Sequence, residues 1–91
     1  MTNFEITIFE YQKLFFNSEE IISIVFKGNK IGEVTILYDH SPIIVDLNET
    51  IIKCKLSSGK FKTFWIEKGI FSFDQNKAKV MTNKVKIHQI N

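Results

Sequence analysis

Gly32-Glu33-Val34-Thr35-Ile36-Leu37-Tyr38-Asp39-His40-Ser41-Pro42 runs without a break into the apolar Ile43 to Leu47. These sixteen residues hold a half-alternating strand, a polar corner closed by the only proline, and a second strand. The chain must therefore change direction between Asp39 and Pro42. Asp and Ser can hydrogen-bond nearby backbone and proline fixes its own φ, so the corner has a mechanism behind it.

Working outward, the same period of two recurs. Phe4, Ile6 and Ile8 alternate with Glu5 and Thr7, the mark of a strand with one buried face. Leu14 to Phe16 can pair back as a short second strand, and Asn17-Ser18 interrupts the competing reading of Phe9 to Ile22 as an amphipathic helix. Ile22, Ile24 and Phe26 are expected on one face, before Lys27-Gly28-Asn29-Lys30 turns the chain into a hairpin. Beyond the corner, Ile43, Val45 and Leu47 oppose Ile44 and Asp46, and Ile52, Cys54 and Leu56 oppose Ile51, Lys53 and Lys55. Ser57-Ser58-Gly59-Lys60 supplies the next turn, after which Phe64 and Ile66 alternate with Thr63, Trp65 and Glu67. Lys68-Gly69 permits a bend where a side chain would obstruct. Phe71 and Phe73 continue the pattern, followed by Ala78, Val80 and Thr82 against Lys79 and Met81, then by Val85 and Ile87. The expectation is an all-β, two-sheet β-sandwich or flattened barrel of eight to ten short, mostly antiparallel strands, with residues 1–91 forming a single domain.

Composition narrows the function classes. A chain of 91 residues buries only about 60 to 65% of its unfolded surface, so it cannot spare strands. Nine phenylalanines favour pleated, half-buried segments. The net charge is +2 and every cation is a lysine. The absence of arginine argues against a phosphate-clamping site. A single cysteine allows no internal disulfide. No apolar run reaches the length of a membrane span and the first residues lack the regions of a signal peptide, so a soluble cytoplasmic chain without membrane insertion is expected.

Nothing in the sequence assembles an active centre. Asp39-His40-Ser41 has the letters of a triad, but sequence neighbours point their side chains apart. His40 lacks partners for a metal, His88 reads as solvated, and Cys54 sits in register with Ile52 and Leu56 as a small buried hydrophobe. No glycine-rich phosphate loop is present. No catalytic residue, metal or cofactor is expected. The rival that the residues themselves suggest is a single-stranded nucleic-acid-binding barrel, with Lys55, Lys60 and Lys62 beside Phe61 and Trp65. The low net charge and missing arginine favour a solvated lysine face instead, with no nucleic acid bound.

At the corner the sequence resembles the N-terminal β-sandwich domain of the epsilon subunit of F-type ATP synthases. That family carries Gly-Glu and, six residues after the Glu, Gly-His-Ala-Pro before an apolar strand; here the run is Gly32-Glu33, Asp39-His40-Ser41-Pro42 and Ile43 to Leu47. Ile51 to Leu56, Gly59, Phe64 to Ile66 and Lys68-Gly69 match its following strand, turn, aromatic strand and Gly-Gly bend, and Asn76 to Met81 its last core strand. Tyr38-Asp39, Glu49-Thr50 and Lys68 replace the family's Pro-Gly, second Pro-Gly and first bend glycine, which alters loop shape.

The resemblance implies a non-catalytic foot of the rotating central stalk, joining a gamma-like subunit to the membrane rotor ring on the cytoplasmic face of the cell membrane. A variant is an F-type-like ATPase whose foot meets a different partner. By the same resemblance, Glu33, Asp39, His40, Ser41 and Pro42 are candidates for ring contact. Ile44, Ile51, Trp65 and Met81 are candidates for gamma contact from strand register, since interfaces concentrate energy in a few such anchors. Many relatives continue into a two-helix hairpin that can brake ATP hydrolysis and sometimes binds ATP. The sequence closes at Asn91, so neither self-inhibition nor nucleotide binding is expected of it.

Overall fold

The computed structural model describes residues 2–88. Among them there is no helix and there are nine strands: β1 (Phe4–Glu10), β2 (Lys13–Gly28), β3 (Gly32–Leu37), β4 (Ile43–Leu47), β5 (Thr50–Leu56), β6 (Phe61–Ile66), β7 (Gly69–Asp74), β8 (Lys77–Thr82) and β9 (Val85–Ile87). Hydrogen bonding follows the order β4-β7-β8-β1-β2-β5-β6-β9, with β3 attached to β2, and the sheet does not close into a barrel. All pairings are antiparallel except β1 with β8.

The sandwich arises because β2 belongs to both layers. Its first half pairs with β1 through Lys13 to Ile21, and its second half pairs with β3 and β5 through Ile21 to Gly28. Register shifts at Phe4/Ile6 and at Ile21/Ser23 bend it between the two roles. One layer is therefore β4-β7-β8-β1-β2 and the other β3-β2-β5-β6-β9. Aromatic side chains bridge the layers: Phe26 meets Phe71 with centroids 4.6 Å apart, and Phe16 meets Phe64 at 4.8 Å. Phe4 sets its edge on Phe73 at 5.5 Å. Such pairs add about 0.5–1.5 kcal/mol each beyond their burial.

Most of the expected register is present. Ile6, Ile8, Val45, Leu47, Ile52, Cys54, Phe64, Ile66, Phe71, Phe73, Ala78 and Val80 all lie in the core. Three expectations change. Leu14 to Phe16 opens a sixteen-residue strand rather than forming a short one of its own. The bulge moves Ile21 into the core and leaves Ile22 half-buried, so Ile21, Ile24 and Phe26 are the inward residues of β2. Thr63 is buried, with its hydroxyl bonded to the His88 carbonyl, and Ile87 is exposed. Thr50 and Thr82 are also buried; Thr50 Oγ1 accepts from the Lys27 amide at 3.3 Å, and Thr82 donates to the carbonyl of Lys68. Among the described residues no buried side-chain nitrogen or oxygen lacks a partner, as a low-dielectric core demands.

Gly69 marks the bend expected at Lys68-Gly69, where it opposes both Leu47 and Thr82. A Cβ built there would stand 2.2 Å from the Met81 carbonyl oxygen. Backbone cannot move aside as a flexible side chain can, so Gly69→Ala is expected to destabilise the domain by about 1–3 kcal/mol. Urea unfolding measures it. A variant as stable as the parent would mean that β7 and β8 tolerate a wider spacing than this structure shows.

Candidate functional site

The corner after β3 carries the chain from one layer to the other, since β3 pairs only with β2 and β4 only with β7. Asp39 adopts φ of 63°, a left-handed conformation that Asp tolerates better than most residues. Its amide donates to Asn76 Oδ1 at 2.7 Å, and Asn76 Nδ2 donates back to Asp39 Oδ1 at 2.9 Å. Asn76 lies in the β7–β8 turn with φ of 61°, and its carbonyl accepts from the Glu5 amide at 3.1 Å. Corner, hairpin and the start of β1 are thus fastened at one point. The reciprocal bond across thirty-seven residues of sequence had no local signal.

His40 is half-buried. Its amide donates to the Leu37 carbonyl at 3.0 Å, its ring stands edge-on to Phe73 at 6.0 Å, and the Ser41 carbonyl accepts from Nδ1 at 2.6 Å. Asp39, Ser41 and Pro42 are exposed beside it. Glu33 is exposed too, but it opposes Lys27 at the opposite end of β3. Four extended steps of β3, roughly 13 Å, carry the chain from Glu33 to Leu37 before it turns into Asp39. The five candidates for ring contact therefore form a strip along the β3 edge instead of a cluster.

The candidates for gamma contact separate in the same way. Met81 and Ile44 project from the outer face of the β4-β7-β8-β1-β2 layer. Met81 opposes Ile70 on β7 and Phe9 on β1, and Phe9 opposes Leu14 on β2. Met81 is 54% exposed, Ile70 47% and Ile44 77%. Phe9, Tyr11, Ile70 and Met81 line a shallow apolar groove on this face. Ile51 and Trp65 oppose each other on the outer face of the other layer and are half-buried. There Trp65 Nε1 donates to Glu49 Oε2 at 2.9 Å, and the Lys86 ammonium lies over its ring. Ile70, Phe9 and Leu14 were missed in the sequence reading. Their signal was the cross-strand neighbourhood of Met81, which only the pairing reveals.

Among the described residues no three His, Cys, Asp or Glu side chains gather to hold a metal ion, and no helix is long and apolar enough to cross a membrane. Cys54 is fully buried between β2 and β6, and burial pushes its thiol up to about 12. A thiol so held is neither nucleophile nor ligand at neutral pH.

These features define a small β-sandwich with a shallow apolar groove on one outer face and lysine-topped aromatic rings on the other. The chain belongs to the ATP synthase delta/epsilon chain β-sandwich domain family, whose profile matches residues 3–87. It is 34% identical over 82 residues to the ATP synthase epsilon chain of Pelagibacter ubique, covering 90% of this chain and 62% of that one. Over the same length it is 34% identical to the epsilon chain of Chlorobium limicola and 35% to that of Chlorobaculum tepidum, covering 91% of each. The fold also matches a chain in the Euglena gracilis mitochondrial ATP synthase OSCP/F1/c-ring structure. There the TM-score is 0.85 and the identity 17%, over 96% of this chain and 54% of that one. A chain in the central stalk/c-ring structure from Tetrahymena thermophila matches with TM-score 0.74 and 17% identity, over 90% and 64%. The chain thus spans less than two thirds of the first of these relatives.

Three outcomes follow. Asn76→Gly keeps the positive φ and removes both side-chain bonds to Asp39, at a cost of about 1–2 kcal/mol. Hydrogen exchange at the His40 amide should accelerate; unchanged protection would show that the corner holds without Asn76. Cys54 should resist a thiol reagent in the folded protein and react in urea. Its folded pKa of about 12 lies above the ordinary 9.0, so the stabilising contribution is complete below pH 9 and lost as pH rises from there toward 12. The difference in unfolding free energy between the parent and Cys54→Ala should shrink over that window.

Proposed function

We propose that this chain is a non-catalytic subunit of the rotating central stalk of an F-type ATP synthase or ATPase, joining a gamma-like subunit to the membrane rotor ring. The observation that carries the reading is the family match across residues 3–87, joined to epsilon-chain relatives that align over 90% of the chain. Assembly of that kind places the protein on the membrane surface as part of a larger complex, on its cytoplasmic face. Its part there is mechanical: it adheres and transmits torque while other subunits make or break bonds.

Surface chemistry supports a division of labour. The gamma-like subunit docks on the outer face of the β4-β7-β8-β1-β2 layer, where Met81, Ile70, Phe9 and Ile44 offer apolar area; full burial of such a side chain contributes about 1.5–3 kcal/mol. The ring meets the β3 edge, along which Glu33 stands at one end and Asp39, His40, Ser41 and Pro42 at the other. An edge with Glu33 at one end and Asp39 just beyond the other suits polar loops, and the charge at Glu33 resists pairing with a second sheet. Ile51 and Trp65 lie on the far face, so they are the weaker candidates for gamma contact.

Co-expression with the gamma-like and ring subunits of an F-type complex tests both assignments. Met81→Glu should lower recovery of the gamma-like subunit by roughly tenfold, because a carboxylate replaces buried apolar surface. Glu33→Lys combined with His40→Ala should leave that recovery intact and weaken retention on membranes. If the parent chain pulls down no gamma-like subunit, the stalk assignment is wrong. If it pulls down gamma without the ring, the foot meets a different partner.

A further inference from the structure

The outer face of the β3-β2-β5-β6-β9 layer differs in kind from the apolar one. Lys55 opposes Phe61 directly and Lys53 is its diagonal neighbour. Both ammonium groups lie over the same ring, at 4.5 Å for Lys53 and 5.8 Å for Lys55. Phe61 is 52% exposed, a large apolar ring kept at the surface with two cations above it. Four residues further along β6, the Trp65 ring has Lys86 Nζ 5.7 Å from its centre, Lys86 standing opposite it on the neighbouring β9. Each lysine gains a modest cation–π attraction of about 0.5–1 kcal/mol at an exposed site. Holding two like charges over one ring is opposed by their mutual repulsion, which an anion between them would reverse.

We propose that this face docks an acidic segment of a partner protein, whose carboxylates engage Lys53 and Lys55 over Phe61 and extend toward Lys86 beside Trp65. Three features select that occupant. Lys53 and Lys55 are alternate residues of one strand, about 6.8 Å apart along it, which equals the spacing of alternate side chains in an extended segment. A segment with Asp or Glu at every second position therefore matches them one to one. The second feature is that ammonium groups already lie over the Phe61 and Trp65 rings, and the indole N–H is engaged by Glu49. Bases would have to displace them to stack, whereas carboxylates would pair with them in place. Last, every cation here is lysine, which meets a carboxylate as a point charge; the planar fork that reads phosphate bidentately is absent. The face is independent of the apolar surface assigned to the gamma-like subunit, so it is free in a protein already docked there.

Titration of the isotope-labelled chain by NMR, with a soluble peptide of alternating Glu and Thr, tests the proposal. Amide shifts should concentrate on β5, β6 and β9 and saturate, and the affinity should fall as salt rises. Lys53→Gln with Lys55→Gln should weaken binding roughly three- to tenfold, the sum expected for two exposed ion pairs. Lys77→Gln with Lys79→Gln removes the same charge from the opposite face and should leave binding unchanged. A peptide of equal charge with its Glu residues clustered should bind more weakly than the alternating one. The proposal is overturned if both peptides bind alike, if the two double variants behave alike, or if no saturable shift occurs. Tighter binding of a single-stranded oligonucleotide, or of phosphatidylglycerol vesicles, would overturn it in favour of that ligand. Pull-down of the gamma-like subunit by the Lys53→Gln, Lys55→Gln variant should be unaffected, which separates this test from that of the stalk assignment.

Discussion

One strand serving two layers is the constraint on which the architecture rests. Because β2 is bonded to β1 through its first half and to β3 and β5 through its second, neither layer can shift register without dragging the other. The bulge at Ile21/Ser23 is where the strand turns from one role to the other, and Ile21, Ile24 and Phe26 are the side chains that fill the space between the layers there. A one-residue slip would send those side chains to solvent. A domain of this size has few layers of packing to spare, so the shared strand does the work that a larger core does elsewhere.

That constraint also explains what could be read from the residues alone. Where a strand keeps one partner on each side and no bulge, as in β5 and β8, alternation gives the inward face directly: Ile52 and Cys54, Ala78 and Val80. In β2 the bulge replaces the period of two by a spacing of three between Ile21 and Ile24, which imitates helical spacing. Unbroken alternation back from Ile24 and Phe26 instead puts Ile22 on the inward face, because the bulge has no local mark. Thr63 failed for another reason: its burial comes from the His88 backbone closing over it, a contact that no local pattern encodes.

The candidate surfaces were legible as residues and illegible as groups. Ile44, Ile51, Trp65 and Met81 were each correctly read as facing away from the core, yet alternation cannot say which layer an outward residue belongs to. Pairing settles it, setting Met81 beside Ile70 and Phe9 and setting Trp65 beside Ile51 and Lys86. The β3 edge shows the same limit. Glu33 and His40 are close in sequence, but a strand is extended, so closeness along the chain becomes distance in space.

For the proposed role, rigidity matters more than any single contact. A body that passes torque between two partners must not shear between the surfaces that hold them, and in this fold those surfaces belong to different elements: the apolar face to β1, β7 and β8, the edge to β3 and its corner. Asp39 and Asn76 fasten the corner to the β7–β8 turn through two bonds, at 2.7 and 2.9 Å. The Asn76 carbonyl ties the same turn to β1. Load applied at the edge therefore reaches the apolar face through hydrogen bonds that tie the corner to the β7–β8 turn and that turn to β1. A free loop of the same length would absorb that load by bending. The departures from glycine at Tyr38-Asp39 fit this reading, since Asp39 supplies both an amide and a carboxylate to the junction where glycine would supply only the amide.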